Sequence, residues 1–238
     1  MRAQRLKDEI RLLRLSARLL MGKRFWLVPL FTILWPTALW LFLLWGWTEN
    51  AYVPTDAQTG LIGTPLTVLG IFLGGKVIAG EIDKRTLEIA YTVPGGAHRI
   101  WISKLIVCVL TLAVAEALLA GAAYAFFTDY PLGALYGAMQ SALFYLVLSM
   151  SLAALFKSEA SGGLVVIVVL LLNWLFTGFG ANQIRISPFW NPAVLLGRGR
   201  DPADVLAWTV QNRIGFLFAI AAVIAMGFTR AERREKLL

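Results

Sequence analysis

Five stretches of the chain carry no charged residue: 25–48, 57–75, 130–156, 160–184 and 214–229. A sixth, 105–128, carries a single charge, Glu116. A helix needs roughly 17–25 mainly apolar residues to cross the hydrocarbon of a bilayer. The pattern therefore predicts an all-α membrane protein with six transmembrane helices, at about 25–47, 58–78, 102–127, 132–156, 163–181 and 205–229. The last run is the shortest. Asp201-Pro202 reads as an earlier helix start, with Asp as N-cap and Pro in the first turn.

The polar stretches have patterns of their own. In residues 1–24, Leu6, Ile10, Leu13, Ala17 and Leu20 recur at helical steps, and Arg5, Arg11, Arg14 and Arg18 fill the other side. This predicts an N-terminal interfacial amphipathic helix, its apolar face in the acyl boundary. In residues 79–104, Ile82, Thr86, Ile89 or Ala90, and Val93 form one apolar stripe among charges, ended by Pro94-Gly95-Gly96. The expectation is a short amphipathic helix between spans 2 and 3, on the cytoplasmic face and suited to docking a partner. Residues 157–163 make a short inner turn, and 231–238 a basic tail. Residues 181–212 are too apolar for a solvated loop and are expected to dip into the membrane or cap the spans.

Composition agrees with a membrane chain: 58% of residues are hydrophobic and 15% charged. The net charge of +8 has a topological explanation. With a cytoplasmic N-terminus, six crossings put eighteen lysines and arginines inside and four outside. That is the positive-inside bias, so the positive charge faces membrane lipids and no nucleic-acid partner is expected. The first apolar run, like the basic stretch before it, is longer than the 7–15 residues of a cleaved signal and reads as a retained anchor. One cysteine and one histidine leave no internal disulfide and no cysteine or histidine cluster for a metal.

Residues 70–77, GIFLGGKV, match the phosphate-loop pattern G-x-x-x-x-G-K-[S/T] except at Val77. A phosphate loop needs a strand before it, a helix after it and a hydroxyl at the eighth place for magnesium. Here the glycines lie inside an apolar span. Gly70 and Gly74 read as a helix-packing pair and Lys76 as a lysine reaching the interface. No cofactor on this chain and no enzymatic activity are expected. Glu116 is different. A carboxylate deep in a span costs on the order of 2.5–3.5 kcal/mol, so it must face a cavity, a polar partner or another subunit. It is either a path or coupling residue, or it makes a structural hydrogen bond to Asn173 or Gln140. Asn173, in mid-helix, is the other candidate for lining a path.

Six spans, an inside N-terminus and two short motifs make the chain resemble the permeases of ABC-2-type ATP-binding-cassette exporters. The first motif is Glu81, Arg85-Thr86-Leu87-Glu88, Pro94, Arg99 and Lys104; the second is Asn191-Pro192 followed by Arg198. Arg85 stands where the family usually has glycine. The resemblance implies a coupling helix that docks on a separate ATPase subunit through Glu81, Asp83, Arg85, Thr86, Leu87, Glu88, Pro94 and Arg99. It implies a second ATPase contact at Lys157 and Glu159, a path past Glu116 and Asn173, and an extracellular gate at Asn191 and Pro192. ATP and Mg would sit on the partner, and a second permease subunit, identical or different, would complete the path. The location implied is the bacterial plasma (inner) membrane, multi-pass, with both termini cytoplasmic. The competing classes are a non-transport membrane enzyme or assembly protein, and a secondary transporter. The first needs paired polar groups at one depth. The second needs an inverted repeat and several mid-span ionisable groups. The sequence displays neither.

Overall fold

The computed structural model describes residues 2–47, 52–83, 96–178 and 184–232. Side chains are described for 10–47, 52–83, 97–176 and 184–231. Among the described residues there is no strand. Eight helices are labelled here in chain order: α1 Arg2–Met21, α2 Phe25–Leu44, α3 Pro54–Asp83, α4 Gly96–Phe126, α5 Leu132–Phe156, α6 Glu159–Gly178, α7 Pro192–Gly197 and α8 Pro202–Glu232. Six of them, α2 to α6 and α8, are long and apolar enough to cross a membrane. The chain thus has a multi-pass architecture. Its two faces are called here the basic face, where α1, the end of α3, the start of α4, Lys157 and the end of α8 lie, and the opposite face.

Helix α5 is the centre of the bundle and packs against α3, α6 and α8. Its contact with α3 is made backbone to backbone. A Cβ on Gly70 would sit 2.7 Å from the Ala142 carbonyl oxygen, and one on Gly74 would strike the Leu146 backbone. Around this glycine seam, Ser149 donates to the Ile71 carbonyl at 2.8 Å. The GIFLGGKV segment is therefore mid-helix, and its first two glycines are contact points with α5, as small residues at spacing four allow.

Prolines shape the helices from within. A 3-10 turn, Phe25–Leu27, leads into α2 ahead of Pro29, and Pro36, with no N–H for the Thr32 carbonyl, breaks it into the pieces Val28–Phe31 and Leu34–Leu44. At the break the Thr32 hydroxyl donates back to the Pro29 carbonyl at 2.6 Å. In α3, Pro65 follows a wide turn, Ala57–Gly63, with π-helical bonding. The carbonyls there are re-satisfied by side chains. Thr64 Oγ1 donates to the Thr59 carbonyl at 2.8 Å, and Trp35 Nε1 to that of Gly60 at 2.9 Å.

Helix α1 rests on α4 and α3 through its C-terminal half. Ala17 and Leu20 are buried and Leu13 packs beside them. Ile10, in the same sequence stripe, is 57% exposed, as are Leu15 and Leu19 to similar degrees. Arg11, Arg14 and Arg18 lie exposed on the same helix.

Candidate functional site

Two polar joints hold the bundle, one at each face. On the basic face, the Glu81 carboxylate ends α3 and is only 8% exposed. Lys104 Nζ lies 2.8 Å from Glu81 Oε1, and Trp101 Nε1 donates to Oε2 at 2.9 Å. Lys104 also donates to the Val77 carbonyl at 3.1 Å, one turn back on α3. Both charges are thus paired and hydrogen-bonded, as burial demands. The Trp101 ring stacks on Phe228 near the end of α8, and His98 meets the same phenyl edge-on. One cluster therefore ties α3, α4 and α8 together.

Two residues further along, Asp83 Oδ2 accepts from the Glu159 N–H at 3.1 Å. A carboxylate from α3 caps the first turn of α6, where peptide N–H groups are unpaired and the dipole favours negative charge. The Glu159 side chain folds over Gly80, whose missing Cβ leaves it room. Lys157 closes α5 in the left-handed region, φ 56°, with its N–H donating to Ala153.

The structure thus brings Asp83 and Glu159 together, and it occupies Glu81 inside the chain. Arg99 is exposed on the first turns of α4. Arg85, Thr86, Leu87, Glu88 and Pro94, with the rest of the expected coupling helix, lie outside the described residues. What is described of that motif is its two ends, and these are joined through the Glu81–Lys104 pair.

A lateral groove of about 730 Å³ opens between α3 and α6 on the basic side. Its walls are apolar, including Ile71, Phe72, Leu164 and Ile167, while Lys76 and Glu159 stand at its rim. Lys76 Nζ lies over the Phe72 ring, 3.9 Å from the centroid.

On the opposite face, Asn191 is 2% exposed and works in two directions. Its Oδ1 accepts from the Ala193 N–H at 3.1 Å and caps α7, with Pro192 in the first turn. Its Nδ2 donates to the Thr55 carbonyl at 2.7 Å, at the start of α3. Beside it Gln58, in the wide turn of α3, donates to the Trp190 carbonyl at 2.7 Å, and its amide fits over Gly137 of α5. Gln140 Nε2 donates to Asn212 Oδ1 at 3.1 Å, and Asn212 Nδ2 in turn donates to the carbonyls of Arg185 and Ser187. Segment 184–191 is therefore stitched to α3, α5 and α8 by amide side chains. Asp201 Oδ1 accepts from the Ala203 N–H at 2.9 Å as α8 begins.

Glu116 is half-buried beside the Met139 backbone of α5. Its Oε1 is buried with no hydrogen-bond partner among the described residues. Neither side chain suggested for it bonds to that oxygen. The Gln140 amide goes to Asn212, and Asn173 Oδ1 accepts from the Ser187 hydroxyl at 3.2 Å. Reading the sequence singled out Asn191 but passed over Gln58, Asn212 and Trp190. The signal that finds them is a lone amide inside or beside an apolar run, which must have a partner.

No protein-family model, curated protein or solved structure matches the chain. Among the described residues no group of three or more histidine, cysteine, aspartate or glutamate side chains is placed to hold a metal.

Proposed function

We propose that the chain is the permease subunit of an ATP-driven exporter of the ABC-2 type. It forms a translocation path with a second permease subunit in the bacterial inner membrane and is driven by a separate ATPase. The observation that carries this reading is the joint around Glu81. Residues 84–95, the stretch with the family-like motif, leave α3 just after Glu81 and return to α4 just before Trp101 and Lys104. A push on that stretch is transmitted to α3 and α4 by a buried ion pair, to α8 by Trp101 on Phe228, and to α6 by Asp83 on the Glu159 N–H. Packed elements of this kind move as bodies, which is what alternating access requires.

The basic face is then cytoplasmic, in keeping with its lysines and arginines. Residues 84–95 would be the coupling helix, and Lys157 with Glu159 the second contact on the ATPase. The groove between α3 and α6 supports an amphipathic or hydrophobic substrate, since it opens sideways to lipid and carries charge only at its rim. Glu116 and Asn173 fall to the path and the Asn191–Pro192 joint to the outer gate.

The test is association. A tagged chain purified from its own cell should bring down a soluble ATPase with a true phosphate loop. Glu88→Arg should abolish that association and leave membrane insertion intact. Recovery of the chain without an ATPase overturns the reading, and normal ATPase binding by Glu88→Arg removes the coupling-helix assignment.

A further inference from the structure

On the opposite face, the Arg185 guanidinium carbon lies over the Trp208 indole, 3.5 Å from the ring centroid. Its place is built, because the buried Asn212 amide holds the Arg185 carbonyl and is itself held by Gln140. Among the described residues no acceptor reaches the guanidinium N–H groups of Arg185. A cation fixed by an aromatic face keeps its hydrogen-bonding edge open, and that edge matches a phosphate or carboxylate.

Beside the arginine runs a groove of about 300 Å³ along α8, lined by Trp208, Gln211, Gly215, Phe216 and Ala219. From Trp208 to Ala219 the helix descends about 16 Å, which leads from the aromatic interface well into the hydrocarbon. Nothing lies within 4 Å of where a Cβ on Gly215 would be, so the groove is open at its middle. Charge at the top and an apolar channel beneath it are the complement of one molecule type, an amphiphile with an anionic head.

We propose that this groove holds one anionic phospholipid, its phosphate on Arg185 and one acyl chain along Gly215, Phe216 and Ala219. The proposal rests on the six-helix bundle lying in a bilayer and is independent of transport or an ATPase. The lipid covers the exposed face of α8 and ties segment 184–191 to the leaflet at that end.

The full chain is purified in detergent, stripped of lipid and titrated with dioleoyl phosphatidylglycerol, with bound lipid counted by native mass spectrometry. The wild-type chain should retain one lipid that Arg185→Gln binds about tenfold more weakly, the loss expected for a charge-assisted hydrogen bond. Gly215→Leu fills the groove, keeps the arginine, and should weaken retention to a similar degree. Inorganic phosphate alone should not compete. Equal retention by the wild type and either variant overturns the proposal. Displacement by inorganic phosphate also overturns it, since it would make the site one for a free anion. Thermal unfolding of each variant in the same detergent accompanies the titration, and Gly215→Leu, built into open space, carries the test should Arg185→Gln fail to fold.

Discussion

Glu81 and Lys104 stand 23 residues apart in sequence and 2.8 Å apart in space, buried side by side where α3 ends and α4 begins. Their pairing ties the end of span 2 to the start of span 3.

Breaking that pair on one side leaves a buried charge alone. Glu81→Ala or Lys104→Ala should each lower the unfolding free energy in detergent by about 3–5 kcal/mol. The double replacement Glu81→Leu with Lys104→Met, which removes both charges and keeps the volume, should recover most of the loss. Thermal melts of the three variants check this, and a double variant as unstable as the singles would show that the pair is not what holds the joint.

The glycine seam makes a contrast between two glycines of similar sequence context. Gly74→Ala pushes a methyl into the Leu146 backbone and should cost about 1–3 kcal/mol through forced separation of α3 and α5. Gly121 on α4 has nothing within 4 Å of its Cβ position. Gly121→Ala should therefore be neutral or gain up to about 1 kcal/mol from helix propensity. Both are read from the same detergent melts.

Lys157 holds a backbone conformation that glycine adopts more readily. Lys157→Gly should stabilise the isolated chain by about 0.5–1 kcal/mol, the left-handed strain relieved less the added freedom of glycine when unfolded. If Lys157 also contacts an ATPase, the same variant should bind that partner more weakly. A chain both more stable and weaker in association separates the two roles.

On the opposite face, Asn191→Ala removes a cap from α7 and the donor to the Thr55 carbonyl in a site 2% exposed. The expected loss is about 1–3 kcal/mol. Hydrogen exchange should localise the added opening to α7 and the start of α3. Uniform exchange across the bundle would contradict the joint as a local clasp.

The helices were legible because water and lipid sort residues coarsely: a long charge-free run has few other uses. The glycine pair was legible for a similar reason, since its spacing is local. The joints were not. Nothing periodic links Thr55 to Asn191, which meet across 136 positions, nor Asp83 to the N–H of Glu159. Nor does local pattern separate the members of the α1 stripe, of which Ala17 and Leu20 are buried in the bundle and Ile10 is exposed. Pro36 and Pro65 stood in plain view, but only the structure shows how each re-routes hydrogen bonds, one into a break and one into a wide turn.

The central place of α5 has a consequence for biogenesis. Spans leave the translocation machinery in chain order, and α4 comes out between α3 and α5. Until α5 arrives, Gly70 and Gly74 have no backbone to close on. Assembly therefore waits on the fourth span, and a chain stalled before it should be a substrate for membrane proteases even with three spans already inserted.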